Sequence, residues 1–174
     1  MKDDPLLTTR LDTHGGRDPL RVIVDSRARL PVSAKLLKTG SRPPVVAVGP
    51  DAPQHRCDVL KKVGAEIVVI PKGERGLSLP DLMATLGRRE VTSMMIEGGG
   101  RLSTSALQAG MVDKVILMIA PMLIGGTRAP TLLQGEGVEK LSEAFRLQEV
   151  KVESVGEDLM VEGYLTDPPQ PLLE

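Results

Sequence analysis

The chain has 174 residues, of which 41% are apolar and 26% charged, a composition that fits one soluble domain with a proper core. Its 22 basic residues against 23 acidic ones leave a formal net charge of −1, which argues against nucleic acid or an anionic membrane as the main partner. A single cysteine, Cys57, excludes an internal disulfide and a Cys-based zinc site, and no apolar run approaches the ~20 residues of a bilayer span.

The opening residues carry no signal-peptide pattern, so the cytoplasm is the expected location. Phe145 and Tyr164 are the only aromatic residues. The core must therefore be aliphatic, and base-stacking platforms for single-stranded nucleic acid are lacking.

Residues 1–20 are polar and turn-rich and read as an irregular arm. Arg21-Val22-Ile23-Val24-Asp25 reads as a compact buried strand, followed by the loop Ser26-Arg27-Ala28-Arg29-Leu30-Pro31. Val45 to Val48 is a second strand, stopped by Gly49-Pro50. A helix fits residues 52–63, with Val59, Leu60 and Val63 on its apolar side and Gly64 as its stop. Glu66 to Ile70 is a third strand, ended by Pro71, and Leu79, Leu82, Met83 and Leu86 recur at helical spacing.

Residues 91–96 are expected as a further strand, residues 101–109 as a helix, and residues 113–120 as another strand. The period-two pattern of residues 145–153 and 158–165, parted by Gly156, predicts an antiparallel hairpin. Strands alternating with helices make this an α/β protein. A single domain is expected over residues 1–166, with a disordered tail over 167–174.

Metal chemistry has no support, because His14 and His55 are isolated and lack a second ligand at a useful spacing. Cys57 has no paired histidine and reads as a structural thiol. The polar strand ends remain: Asp25 and Ser26, Glu97 with Gly98 to Gly100, and Gly125 with Gly126. In open α/β sheets ligands bind at such carboxyl ends. A strand, a Gly turn and a helix N-terminus also form a cradle for phosphate, although an isolated Gly-Gly-Gly is more often an ordinary tight turn with no ligand. The glycines lack the spacing of the dinucleotide fingerprint, and no Walker-type lysine follows them.

Four stretches in order carry a family resemblance. They are Arg21 to Pro31, Met95-Ile96-Glu97-Gly98-Gly99, Ala109-Gly110-Met111-Val112-Asp113, and Ile119-Ala120-Pro121-Met122-Leu123-Ile124-Gly125-Gly126. With the opening Asp3-Asp4-Pro5-Leu6-Leu7-Thr8-Thr9-Arg10, they resemble the reductase domain of the bifunctional riboflavin-biosynthesis deaminase/reductase.

The resemblance implies a dihydrofolate-reductase-like mixed sheet flanked by helices, with NADPH as hydride donor. The implied reaction reduces the ribosyl group of 5-amino-6-(5-phosphoribosylamino)uracil to ribityl. It further implies substrate contacts at Leu7, Arg10 and Glu97. Cofactor contacts are implied at Asp3, Ser26, Gly99, Gly100, Arg101, Leu102, Ser103, Thr104 and Ser105. Arg10 suits a sugar phosphate, because its guanidinium fork matches phosphate oxygens. Glu97 suits ribose hydroxyls, although a carboxylate at a helix N-terminus is also stabilised by the dipole alone. No general acid is implied.

Relative to that family the chain starts after roughly fifty residues that form two central strands, so open sheet edges and uncovered apolar faces are expected. The expected remedy is a homodimer or completion by another chain. A non-catalytic scaffold and a reductase of another pyrimidine or pterin remain alternatives.

Overall fold

A computed structural model describes residues 4–10, 16–126, 129 and 131–166. The chain divides into two compact units, Met1–Thr92 and Ser93–Glu174.

The first unit is built on a parallel sheet of β1 (Val22–Val24), β2 (Val45–Val48) and β3 (Glu66–Val69), in the order β1-β2-β3. All four residues of the central β2 are buried, which explains its unbroken apolar sequence, since a parallel strand covered on both faces has no polar side. Helix α1 (Gln54–Lys62) links β2 to β3 and packs Cys57 and Leu60 into a core with Ala28, Leu30, Leu36, Val46 and Val48.

The apolar side expected for this helix shifts. Val59 and Val63 are exposed at 43% and 39%. Val59 lies about 100° round the helix from Leu60, and Val63 is the C-cap, already outside helical geometry. Gly64 ends the helix as expected, at φ +93 with its N–H on the Lys61 carbonyl.

A short hairpin of β4 (Lys72–Gly73) and β5 (Gly76–Leu77), not foreseen in the sequence, precedes helix α2 (Leu79–Gly87). The Ser78 hydroxyl caps α2 by accepting from the Asp81 N–H, and Leu79, Leu82 and Leu86 form its buried side.

The second unit holds helix α3 (Gly100–Gln108) and an antiparallel sheet of β6 (Lys114–Ile119), β7 (Leu147–Val155) and β8 (Asp158–Leu165), ordered β6-β8-β7. The expected hairpin is present, with Gly156 at φ +62 in its two-residue loop. A bulge between Gln148 and Lys151, with Glu149 at φ +52, kinks β7.

The strand expected over residues 91–96 is absent. Residues 92–96 are exposed, with Met95 at 74%, and pair with no other strand among the described residues. A strand exists only through a neighbour's backbone hydrogen bonds, and no described residue supplies them here. The tail 167–174 lies outside the described residues.

Candidate functional site

The end of β1 turns sharply. The Ala28 N–H donates to the Asp25 carbonyl at 3.0 Å, and Ala28 takes φ +52, a conformation rare for a residue with a Cβ. The buried Asp25 carboxylate fixes the rest of the loop: its Oδ2 accepts from the Leu30 N–H at 2.7 Å, and its Oδ1 faces the Arg29 Nε at 3.7 Å. Arg56 of α1 donates to the Ala28 carbonyl at 3.0 Å from the other side.

This loop is tied to the end of β2. The Gly49 N–H donates to the Ser26 carbonyl at 3.0 Å, and a Cβ on Gly49 would sit 3.1 Å from that oxygen. Glycine is needed there because the two strand ends approach too closely for a side chain. The resulting cleft, about 530 Å³, is lined by Ser26, Arg27, Gly49, Asp51, Lys72 and Leu77, among others. Lys72 pairs with Asp51 at its rim. Ser26 was expected here from the sequence; Arg27, Asp51 and Lys72 were not. Their only sequence signal is position, next to Ser26, Gly49-Pro50 and Pro71 at three successive strand ends.

The arm bearing Leu7 and Arg10 belongs to the same unit. It is held by the Lys35 N–H on the Asp4 carboxylate at 3.0 Å and by the Thr9 N–H on Asp18 at 3.1 Å. Leu7 is half-buried at φ +52, and Arg10 is exposed. Asp3 lies outside the described residues.

In the second unit, Glu97 to Gly99 are exposed and lead into α3. Gly99 is the N-cap at φ +65, no side chain caps the helix, and a Cβ on Gly98 or Gly99 would meet nothing within 4 Å. Gly100 differs: a Cβ there would meet Gln134 at 2.7 Å and the Thr131 carbonyl at 3.0 Å.

Thr104 fastens this turn from inside. It is buried, donates to the Gly100 carbonyl at 2.7 Å and accepts from the Gln134 N–H at 3.1 Å. Its hydroxyl therefore supports the helix start. Arg101 is exposed, and Leu102, Ser103 and Ser105 are half-buried. The start of α3 thus offers open backbone N–H groups and the positive end of a helix dipole.

Farther along this unit a hollow of about 580 Å³ opens beside Leu107, Asp113, Glu143, Arg146 and Tyr164. On the adjoining sheet Lys114 meets Glu162 at 2.6 Å and lies 5.5 Å from the Tyr164 ring centre. The hydrogen bond between them raises the Lys114 pKa and lowers that of Glu162.

The model of the RibD C-terminal domain matches residues 1–161. The chain therefore belongs to the RibD C-terminal domain family. A relative from Methanothermobacter thermautotrophicus, named 2,5-diamino-6-ribosylamino-4(3H)-pyrimidinone 5′-phosphate reductase, is 41% identical over 93% of this chain and 74% of its own length. Its namesake from Archaeoglobus fulgidus is 37% identical over 92% of this chain and 73% of its own length.

Among solved structures, RibD of Acinetobacter baumannii superposes with a TM-score of 0.76 at 28% identity, covering 95% of this chain and 44% of that one. The chain thus spans about three quarters of these two reductases and under half of that RibD chain. The fold is the dihydrofolate-reductase-like one of these reductase domains. No helix among the described residues is long and apolar enough to cross a membrane.

Proposed function

We propose that this chain is an NADPH-dependent reductase of riboflavin biosynthesis that converts the ribosyl group of a phosphoribosylaminopyrimidine to ribityl. The observation that carries the reading is the exposed carboxylate of Glu97 followed at once by an open, uncapped glycine helix start. The residues fit a phosphate-bearing cofactor, since Gly98 and Gly99 leave the helix start free for an anion to reach backbone N–H groups.

NADPH supplies the hydride when bound. The protein's part is binding, alignment and exclusion of water, which suits a chain with no catalytic His or Cys constellation. Glu97 accepts hydrogen bonds from sugar hydroxyls, Arg10 grips the sugar phosphate, and Leu7 packs against the substrate. Ser26 and the first turn of α3, from Gly99 to Ser103, hold the cofactor, while the buried Thr104 braces that turn from inside.

The two pyrimidines named in this context differ at ring position 2, amino in one and oxo in the other. We favour the 2,5-diaminopyrimidinone, because the relatives at 41% and 37% identity carry that name. In the working enzyme a second copy of the chain covers the apolar residues exposed here, among them Met94, Met95, Ile96, Ile116 and Met118.

The test is loss of NADPH absorbance on adding each pyrimidine to the purified chain. Oxidation with formation of the ribityl product supports the reading, and its rate with the two pyrimidines ranks them. A folded chain that oxidises NADPH with neither is a non-catalytic scaffold.

A further inference from the structure

We infer that Asp18 is the positioning residue of the arm that carries Leu7 and Arg10: its carboxylate ties the arm to a locked segment and so sets Arg10 for the sugar phosphate. The role of Arg10 rests on the reductase reading above; the clamp rests on contacts made within the first unit alone.

Residues 4–10 form no helix or strand, yet their backbone is held in conformations that a free chain avoids. Asp4 stands at φ +40 and Leu7 at φ +52. Residues with a Cβ keep such conformations only where their surroundings dictate them, and they gather at ligand clamps and active sites.

Asp18 supplies the constraint next to Arg10. One of its carboxylate oxygens accepts from the Thr9 N–H at 3.1 Å, and the other accepts from the Ser41 N–H at 3.2 Å. The Thr9 hydroxyl adds a bond to the Arg17 carbonyl at 2.8 Å. Thr9 directly precedes Arg10, so the Arg10 backbone is fixed while its side chain is exposed. A carboxylate suits this bridge because each oxygen can accept from a separate N–H, whereas an amide side chain offers a single acceptor atom. At the other end of the arm, Asp4 accepts from the Lys35 N–H at 3.0 Å, at the start of the 3-10 turn Lys35–Leu37.

The segment that both carboxylates grip is itself locked. Leu36 is fully buried, and the buried Arg21 guanidinium donates to the Leu36 and Arg42 carbonyls. Gly40, at φ +81, lies so close to that guanidinium that a Cβ there would sit 2.8 Å from it. Rigidity thus passes from Arg21 to residues 35–42, and through Asp18 to Thr9 and Arg10. An arm ordered in advance spares the substrate the cost of ordering it on binding.

The experiment compares wild type, Asp18→Ala, Asp18→Asn, Arg10→Ala and the double variant Asp18→Ala/Arg10→Ala, with melting curves to confirm folding. Titration calorimetry uses the 2,5-diaminopyrimidinone 5′-phosphate of the proposed reaction and its dephosphorylated counterpart, and hydrogen exchange reports on the arm. We expect faster exchange over residues 4–10 in Asp18→Ala, with β1 and β2 unchanged. Affinity for the phosphorylated compound should fall roughly tenfold in Asp18→Ala and less in Asp18→Asn, which keeps one acceptor. Binding of the dephosphorylated compound should be the same in all. On the Arg10→Ala background, Asp18→Ala should cost nothing further, a non-additivity that a merely structural role would not produce. In turnover the loss should appear in KM and leave kcat nearly unchanged. Should Asp18→Ala fail to melt cooperatively, Asp18→Asn carries the same comparison.

Equal losses for both compounds, additive losses in the double variant, or unchanged exchange of the arm would overturn the inference, as would a folded wild type that binds neither compound. Failure of the reductase reading looks different: Asp18-dependent binding of the phosphorylated compound persists, with no hydride transferred from NADPH. Conversely, turnover with an unaltered KM in Asp18→Ala removes the positioning role and leaves the reductase standing.

Discussion

The strand end at Ser26 and the segment around Glu97 carry equally legible motifs, yet they are built in opposite ways. At Ser26 the chain is pinned from several directions, by the buried Asp25 carboxylate, by Arg56 and by the Gly49 N–H. Around Glu97, residues 92–99 are exposed and belong to no ladder. A packed β2 preorganises the first site, whereas the second is organised only from the far side, where Thr104 locks the start of α3. A motif names the chemistry of a site, and neighbouring strands decide its rigidity.

That contrast sets the order of the expected effects. Leu60, 1% exposed in the first core, should cost about 2–5 kcal/mol of unfolding free energy when cut to Ala. Met95→Ser, at a position 74% exposed, should stay within about 0.5 kcal/mol in the isolated chain. Denaturant melts of both variants measure the difference, and comparable losses would erase the contrast.

Next comes Asp25→Ala, which leaves the buried Leu30 N–H without its acceptor and should cost about 1–3 kcal/mol. Because the loop carries Ser26 and Arg27, it should also weaken nucleotide binding. In the second unit, Gly99→Asp puts a side chain at φ +65 and a negative charge in the anion cradle. NADPH affinity should fall at least about tenfold, and unfolding free energy by about 1–3 kcal/mol, because a Cβ at this φ is strained even where nothing crowds it.

The smallest effect concerns Lys114 and Glu162. Glu162 has its folded pKa lowered, so its contribution is present above its unfolded pKa and is lost as pH falls through the folded value. Lys114 has its folded pKa raised, so its contribution is present below its unfolded pKa and is lost as pH rises through the folded value. The pair should stabilise the sheet from mildly acidic to mildly alkaline pH, and weakly, because both side chains stay partly open to solvent. Melting of Glu162→Gln against wild type should show a small deficit across that range, and the deficit should vanish only in stronger acid, once pH falls below the lowered folded pKa of Glu162.

The sequence resolved what local pattern controls. The Val-rich β1 and β2, the Leu79-Leu82-Leu86 side of α2 and the Gly156 hairpin all lie where expected, because burial period and turn chemistry are written in neighbouring residues. It failed where a partner decides. Residues 91–96 read as a strand because Met94, Met95 and Ile96 are apolar, but apolar sequence is no substitute for a paired edge. Val59 and Val63 lie outside the buried side of α1 because Cys57 is the residue that packs beside Leu60. At the candidate site the motif pointed to Ser26 and Glu97. Arg27, Asp51 and Lys72 stayed hidden because they meet only after β1, β2 and the β4–β5 hairpin bring three strand ends together.

The most direct test of the account is calorimetric titration of NADPH into the wild-type chain and into Glu97→Ala, each with and without the 2,5-diaminopyrimidinone substrate. The account predicts saturable NADPH binding in both proteins, with Glu97→Ala weaker than wild type only when substrate is present. A folded wild-type chain that takes up no NADPH under either condition would contradict it.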